Sequence, residues 1–429
     1  MAGNDTAPGR TAHAVVIGGG IGGLTAAAAL HRDGWRVTVL ERAGSLDPVG
    51  SAISLAPNAL RALDVIGLGD AFRALAAWPD GDAPAGPGAA GSQGGLRAPS
   101  GRWLSRAGTA AAAERFGGPL VLLHRATLIE RLASRLPGGT VRLAAPATLA
   151  DRGGPGRPAR VTTPDGELEA DLVVAADGIR SAARGALFPG HPGPVYSGFT
   201  TWRIVVPVPG LTPATLASHE TWGRGRIWGT HPLKDGRTYA YAAAVTPEGE
   251  HAPDDERAEL VRRFGDWHDP VPAVLAATRP EDVLRHDVHH LAQPLPAHHR
   301  GRTALLGDAA HAMPPTLGQG GNQAIEDAIV LALSLPRPRP GTGTAVVEGL
   351  AAYSAARQPR TTAITRKAVR AARLNMMSHP AGTAVRDAAI TALSHVGPAL
   401  FLRALDGIAD WRPPRRTYAS GEARTARTP

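Results

Sequence analysis

The stretch "HAVVIGGGIGGLTAAAAL", residues 13–30, decides the fold. An apolar run ends at Ile17, glycines follow, and the alanine-rich segment after them has the composition of a buried helix. The next segment, "WRVTVLER" (residues 35–42), alternates in the manner of a second strand. A strand, a glycine turn, a helix and a strand in this order predict a βαβ unit, which belongs to a parallel sheet.

The glycines of this stretch follow the pattern Gly18-x-Gly20-x-x-Gly23. Gly18 permits the tight turn, Gly20 lets the backbone approach a phosphate, and Gly23 allows the helix to pack closely on the strand. Helix N–H groups then face a pyrophosphate, and Glu41 at the end of the second strand accepts a ribose hydroxyl. A carboxylate there repels a 2'-phosphate, which favours FAD or NAD over NADP at this site. A glycine turn without a ligand is the alternative interpretation.

Composition excludes several other classes of protein. The chain has 429 residues, enough for two or three domains, and no cysteine, so disulfides, iron–sulfur ligation and thiolate zinc sites are excluded. The net charge of +9 comes almost wholly from dispersed arginines, and we expect no nucleic-acid binding. The first 13 residues are polar and no apolar run reaches the ~20 residues of a membrane span, so we expect a cytoplasmic protein.

The middle of the chain changes to strands of period two, in "TTWRIVVPV", "RIWGTHPL" and "RTYAYAAAV". The first pattern then returns in "TALLGDAAH" and long helices follow. We therefore predict an α/β fold: a Rossmann-like dinucleotide-binding domain, an inserted and mostly antiparallel β-sheet domain that binds substrate, and C-terminal helices. The predicted boundaries are 11–75, 110–190 and 283–345 for the first domain, 76–109 and 191–282 for the second, 346–410 for the helical extension, and 411–429 for a flexible tail.

Four motifs in order carry a resemblance to a known family. The glycine motif with Glu41 is followed by Arg125 at the start of a helix, then by Asp177-Gly178, and then by "GDAAHAMPPTLGQGGNQAIEDA", residues 307–328. This order resembles the single-component (group A) flavoprotein monooxygenases, which include salicylate hydroxylase and para-hydroxybenzoate hydroxylase. The match covers roughly residues 13 to 375 in motif order, and the resemblance implies that the first domain binds FAD.

The resemblance also implies which residues contact the cofactor. Asp308 would accept hydrogen bonds from ribityl hydroxyls, and the glycines after it would bring a helix N-terminus to the flavin, where a neutral Asn322 suits a reduced anionic ring. The implied FAD-binding residues are Gly18, Gly20, Gly22, Gly23, Glu41, Arg42, Arg125, Asp177, Gly178, Asp308, Gly318, Gly320, Gly321 and Asn322.

The implied reaction begins with reduction of FAD by NADPH or NADH. Addition of O2 at flavin C4a then gives a hydroperoxide that hydroxylates an electron-rich aromatic or polycyclic small molecule. Epoxidation and Baeyer–Villiger insertion stay open on the same scaffold, and so does a flavoprotein reductase or dehydrogenase without oxygen transfer. A monomer or a homodimer is expected.

The substrate pocket is expected on the middle sheet. The candidate residues are Arg203, Trp228, Tyr241 and Pro315. His231 is a candidate base for deprotonating a phenol, and a structural histidine before Pro232 is the favoured alternative. We predict no metal site, because strand alternation puts His286 and His290 on one face and His289 on the other.

Overall fold

A computed structural model describes most of the chain. The described residues are 11–46, 51–77, 93–212, 216, 218–338, 343–396 and 403–414. Of the predicted flexible tail, 411–429, residues 411–414 are described and the rest lies outside these ranges.

Eighteen strands occur among the described residues. In chain order they are β1 (His13–Ile17), β2 (Arg36–Leu40), β3 (Ala52–Leu55), β4 (Gln93–Arg97), β5 (Trp103–Gly108), β6 (Val121–His124), β7 (Val141–Arg142), β8 (Thr148–Asp151), β9 (Ala159–Thr163), β10 (Gly166–Ala170), β11 (Leu172–Ala175), β12 (Val195–Val206), β13 (His219–Trp222), β14 (Arg226–Pro232), β15 (Thr238–Val245), β16 (Leu284–His290), β17 (His299–Arg300) and β18 (Thr303–Leu305).

Twelve α-helices lie between and after these strands in the same described ranges. They are α1 (Ile21–Arg32), α2 (Pro57–Asp64), α3 (Gly69–Arg73), α4 (Thr109–Phe116), α5 (Arg125–Ala133), α6 (Ala182–Leu187), α7 (Glu256–Phe264), α8 (Val271–Ala277), α9 (Asp308–His311), α10 (Gly320–Ser334), α11 (Gly343–Asn375) and α12 (Pro380–Val396). None of these described helices is both long and apolar enough to cross a bilayer.

The first sheet has six strands in the order β17-β18-β11-β1-β2-β7, parallel except for β17. Both of its faces are buried, as parallel sheets require. Ala14 and Val16 of β1 join the core that α1, α2, α5 and α10 form on one face. Val15 and Ile17 face the other way, toward the three-stranded sheet β10-β9-β8. The near-continuous apolar run of β1 is explained by this double burial.

The second sheet has seven strands in the order β16-β12-β15-β14-β13-β4-β5, antiparallel except where β13 meets β4. Its back face packs against α7 and α8 and buries Trp202, Ile204 and Val206 of β12. The two-domain α/β prediction is confirmed. One boundary differs from the prediction, because β16 pairs with β12 in this second sheet. The first domain therefore resumes after His290 rather than at residue 283.

The C-terminal helices do not form a separate unit. The Tyr353 hydroxyl of α11 donates a 2.9 Å hydrogen bond to the Leu305 carbonyl, the last residue of β18. Val346, Leu350 and Tyr353 share the core of the first domain. The helical extension predicted for 346–410 therefore begins at Gly343 and completes the wall of the first domain, whereas α12 packs Ile390 beside Leu104 of β5.

Candidate active site

The glycine turn after β1 is crowded everywhere except at one position. Gly18 has φ +105°, and a Cβ there would lie 2.3 Å from the Ala176 carbonyl oxygen. A Cβ on Gly23 would lie 2.0 Å from the Gly18 carbonyl oxygen, so Gly23 is the close-packing glycine. A Cβ on Gly20 would meet nothing within 4 Å. The turn is therefore open at Gly20, next to the α1 N–H groups that lack a partner within the helix.

Gly22 has a different surrounding from the other glycines of the motif. A Cβ on Gly22 would lie 2.3 Å from Leu306 Cδ2 and 3.1 Å from Ala324 Cβ, so this glycine lets α1 approach α10. Only its backbone N–H is left for a phosphate.

Glu41 braces the same turn from the end of β2. Its Oε2 accepts a 2.6 Å hydrogen bond from the Gly19 N–H, and its Oε1 accepts a 2.9 Å hydrogen bond from the Ala43 N–H. Each carboxylate oxygen keeps a lone pair, so the position still suits a ribose hydroxyl. Arg42 is exposed beside it.

Asp308 is exposed to solvent, although many protein atoms surround its carboxyl group. Burial raises the pKa of its carboxyl, and the charges of His311, Arg125 and Arg203 offset only part of that effect. A side chain that is both enclosed and open to solvent must line a deep cleft. The charges of Glu41, Arg203 and Asp308 all act on Arg125, so these four side chains lie near one another, and we call the space between them the central cleft. Burial and the charge of Arg203 lower the pKa of Arg125.

The N-terminus of α10 reaches the same cleft. A Cβ on Gly320, the first residue of α10, would lie 3.9 Å from Asp308 Oδ1. Gly318 has φ +62°, a left-handed conformation that ends the preceding 3-10 turn (Pro315–Leu317). Pro315 begins that turn and is exposed. Gly321 packs beneath β3, since a Cβ there would lie 2.7 Å from Ile53 Cδ1.

Asn322 requires a correction. Its side chain is fully buried: Oδ1 accepts from the Ala56 N–H at 2.9 Å, and Nδ2 donates to the carbonyls of Ser54 and Gly318 at 2.9 and 2.6 Å. The amide joins β3 to the start of α10 and has no donor hydrogen left for a ligand. The contribution of Asn322 to the cleft is the position of the helix start.

Asp177 and Gly178 form a turn at the end of β11. Asp177 accepts a 2.6 Å hydrogen bond from the Ser181 hydroxyl and a 3.1 Å hydrogen bond from the Ala183 N–H, so it caps the start of α6. Gly178 has φ +79° and open space where a Cβ would stand. Arg184 is buried and donates to the carbonyls of Ile179 and Ala309 at 2.7 and 3.1 Å. That side chain joins this turn to the Gly307-Asp308 turn.

The second sheet contributes the opposite wall of the cleft. Arg203, Gly229, His231, Tyr239 and Tyr241 share one face, because Tyr241 pairs with Arg203 and Gly229, and Tyr239 pairs with His231. We call this the front face. The front face lies toward Asp308, because the charge of Arg203 on this face lowers the pKa of the Asp308 carboxyl.

Trp228 must be removed from the predicted substrate pocket. It alternates with Gly229 and His231 along β14 and therefore lies on the back face. There it is fully buried against Phe264 of α7, with ring centroids 5.4 Å apart. Its indole N–H donates to the Thr230 hydroxyl at 2.8 Å.

His231 faces the cleft but is a poor base. Burial, with a smaller contribution from His219, lowers its pKa to about 3, so the imidazole is neutral at neutral pH. Its ring stacks on Tyr241 with centroids 5.5 Å apart and an interplanar angle of 18°. These contacts favour the structural interpretation of His231 over the catalytic one.

Comparison with known proteins agrees with this geometry. Residues 11–368 match the family model described as FAD binding domain. The chain belongs to this family. It is an FAD-dependent monooxygenase of the flavoprotein hydroxylase group, as the resemblance implied.

Two curated relatives and one solved structure illustrate the likeness. Aurachin C monooxygenase/isomerase of Stigmatella aurantiaca is 38% identical over 319 residues, covering 74% of this chain and 79% of that protein. 3-Amino-4-hydroxybenzoate 2-monooxygenase of Streptomyces cremeus is 34% identical over 379 residues, covering 85% and 87%. HpxO of Klebsiella pneumoniae, solved with FAD and uric acid, superposes with a TM-score of 0.77 at 27% identity, covering 93% and 96%.

The residues present fit FAD. The open position at Gly20 and the α1 N–H groups suit the pyrophosphate, Glu41 suits the adenosine ribose, and the exposed Asp308 carboxylate suits hydroxyl donors of the ribityl chain. These individual contacts remain predictions. No cluster of three or more His, Asp or Glu side chains within the described ranges is arranged to hold a metal ion.

Sequence reasoning missed a buried charge network directly behind the Gly307-Asp308 turn. Asp327 of α10 accepts from the Gly307 N–H at 3.0 Å, from His311 Nε2 at 2.5 Å and from Arg357 Nε at 2.6 Å. Burial alone would raise the pKa of Asp327, but the charges of His311 and Arg357 outweigh it and hold that pKa below its ordinary value. The signal in the sequence was the pair Glu326-Asp327, which is followed at once by the apolar run of residues 328–333.

Proposed function

We propose that this protein uses NADPH or NADH and O2 to hydroxylate an aromatic small molecule held in the central cleft. One observation carries the proposal: Tyr239 of the front face packs against Ala52 of β3 in the first domain, and the charge of Arg203 on the same face acts on both Arg125 and Asp308. A ring bound between the front face and the first domain would therefore lie against the cofactor.

Bound FAD supplies the redox and oxygen-transfer chemistry, and the residues of this chain supply position and charge. The α10 N-terminus carries the positive end of the helix dipole, which stabilises negative charge in the cleft. Arg125 and Arg203 add two cationic groups to the same space. Because neutral His231 is a weak base, proton removal from a substrate is not its task.

The walls of the cleft suit a flat apolar ring. Phe199, Ile227 and Ala243 of the front face form one cluster with Ala372 of α11, and Ala52 of β3 packs with Tyr239 in another. The two clusters give the front face apolar surroundings. A relative whose name specifies 3-amino-4-hydroxybenzoate, and a structural neighbour solved with uric acid, support an aromatic substrate.

The test begins with the purified FAD holoprotein. NADPH and NADH oxidation, oxygen uptake and product mass are measured with a panel of hydroxylated and amino-substituted aromatic acids and bicyclic heteroaromatic compounds. We expect a product heavier by one oxygen atom, with the label coming from 18O2. Oxygen reduced only to hydrogen peroxide with every compound would contradict the proposal and favour a reductase.

Two finer points belong to the same proposal. The product's NMR spectrum separates hydroxylation from epoxidation and Baeyer–Villiger insertion, and we propose hydroxylation. We also propose a cytoplasmic protein that works as a monomer or a homodimer. Light scattering of the holoprotein measures the mass, and a tetramer would contradict this statement.

A further inference from the structure

Glu220 and Tyr241 form a polar pair on the front face that the reaction described above does not use. Glu220 pairs with Gly229 and Gly229 pairs with Tyr241, so the three residues form one row across β13, β14 and β15. The Tyr241 hydroxyl donates a hydrogen bond to Glu220 Oε1. Its ring spans β14 to do so, and both side chains remain half-buried.

Gly229 makes this reach possible. A Cβ at that position would lie 2.3 Å from Tyr241 Cζ and 2.7 Å from its hydroxyl oxygen. No residue with a side chain leaves room for the ring. The glycine in the middle of an otherwise buried strand is therefore explained by the crossing of Tyr241.

The direction of the hydrogen bond is fixed. Trp222 Nε1 donates to the second carboxylate oxygen of Glu220 at 2.8 Å, so both oxygens of Glu220 accept. A carboxylate has no proton to give, and a tyrosine hydroxyl has only one. Because the Tyr241 hydroxyl donates its hydrogen to Glu220, its oxygen can act only as a hydrogen-bond acceptor toward the cleft. Burial first, and then the charge of Glu220, raises the pKa of Tyr241, so the proton stays on the phenol.

We propose that the Glu220–Tyr241 pair determines specificity by selecting an aromatic ring whose hydroxyl or ring N–H donates a hydrogen bond to the Tyr241 oxygen. Tyr241 contacts the substrate, and Glu220 is a positioning residue that sets the polarity of that contact. This inference rests on the proposed function, since it names the class of ring that the cleft accepts. A ring that offers only an acceptor leaves two lone pairs facing each other and is bound more weakly.

The experiment measures equilibrium binding to the oxidised FAD holoprotein, without NADPH or oxygen consumption. Changes in the flavin absorbance spectrum report titrations with two matched pairs of probes: 4-hydroxybenzoate with 4-methoxybenzoate, and 4-hydroxyquinoline with 4-methoxyquinoline. In the unmodified protein, we expect at least one hydroxylated probe to bind about five-fold or more tightly than its ether, which corresponds to the typical value of one hydrogen bond.

Variants separate the hydrogen bond from the bulk of the methyl group. Tyr241→Phe should bring the affinity ratio close to one while FAD content stays unchanged. Tyr196→Phe is the matched control, because its hydroxyl donates to the Thr246 carbonyl at the end of the sheet, and it should keep the ratio of the unmodified protein.

Glu220→Gln tests the positioning role. Trp222 still needs an acceptor, so it holds the amide oxygen and turns the amide N–H₂ toward Tyr241. The Tyr241 hydroxyl can then donate into the cleft, and binding of the ethers should improve relative to the phenols. A role of Glu220 in folding alone would not shift the ratio in that direction.

Three results would overturn the inference: no hydroxylated probe binds, the unmodified protein shows no preference, or Tyr241→Phe keeps the full preference. Failure of the proposed function looks different. A holoprotein that shows the expected ratios but forms no oxygenated product contradicts the monooxygenase reaction and leaves the role of the pair intact.

Discussion

The Gly307 N–H donates a 3.0 Å hydrogen bond to Asp327 Oδ2, across 20 positions of the sequence. Gly307 has φ +62°, a conformation that needs glycine and an anchor. The bond holds the residue immediately before Asp308, and thereby places the carboxylate that we expect FAD to contact. The buried carboxylate of Asp327 therefore affects both the stability of the α10–α11 pair and the geometry of the expected cofactor site.

Replacing Asp327 should damage both properties. Asp327→Ala leaves the fully buried Arg357 with Glu326 as its remaining carboxylate partner and leaves the Gly307 N–H without its acceptor. Removing one partner from a buried ion pair costs about 3–5 kcal/mol. We expect a loss of this size in the free energy of unfolding, measured by urea titration, together with weaker FAD binding.

Arg262→Met is the control for that variant. Arg262 pairs with Asp254 at 2.8 Å on the surface, where solvent screens the interaction. Its removal should leave the urea midpoint and the FAD content nearly unchanged. Equal effects of the two variants would show that the buried network has no special role.

We expect the Asp308 carboxylate to lower the stability of the folded FAD-free chain and to strengthen FAD binding. Its pKa in the folded chain is raised, so its ionised form opposes folding at neutral pH, and that opposition vanishes once the pH falls below the unfolded pKa of 3.8. Asp308→Asn should therefore raise the melting temperature of the FAD-free protein at pH 7 and weaken FAD binding by about 1–3 kcal/mol. Melting curves at pH 7 and pH 3.5, with a fluorescence titration of FAD, check both parts. A variant that melts lower and keeps full affinity for FAD would contradict the placement of Asp308.

Two glycines of one motif should respond differently to alanine. Gly20 has φ −75° and open space around it, so Gly20→Ala should fold normally and lose FAD affinity because the methyl group occupies the approach of the phosphate. Gly23→Ala places its methyl group against the Gly18 carbonyl and should destabilise the FAD-free chain itself. Unfolding midpoints of the cofactor-free proteins separate the two effects. Normal FAD binding by a folded Gly20→Ala protein would show that the FAD phosphates do not approach Gly20.

His231 provides a prediction on pH. Its pKa is lowered from 6.5 to about 3, so its neutral form stabilises the fold above pH 6.5 and that contribution is lost as the pH falls toward 3. His231→Phe should therefore become more stable relative to the unmodified protein as the pH falls from 7 to 4, which thermal melts measure. We also expect that the pH profile of turnover in the unmodified protein has no inflection near pH 6.5 that is lost in His231→Phe. Such an inflection would restore the role of a base to His231.

Much of the first domain could be predicted from the sequence because its determinants are local. The order of strand, glycine turn and helix requires residues within a few positions of each other, and Gly18 and Gly23 have the close backbone contacts that the motif predicts. The pattern of period two likewise predicted the second sheet. It could also have shown that Trp228 and His231, three residues apart, lie on opposite faces.

Other features depended on which segments meet. Alternation along β14 does not show which face of the strand borders the cleft. The packing of α7 and α8 against Trp228 determines which face is buried on the other side. The amide of Asn322 is committed to Ser54 and Ala56, more than 260 positions away. Local backbone geometry thus follows from neighbouring residues and was determined by the sequence alone. The partner of each buried polar group is decided only when distant segments exclude water around it, and the tertiary structure alone shows that choice.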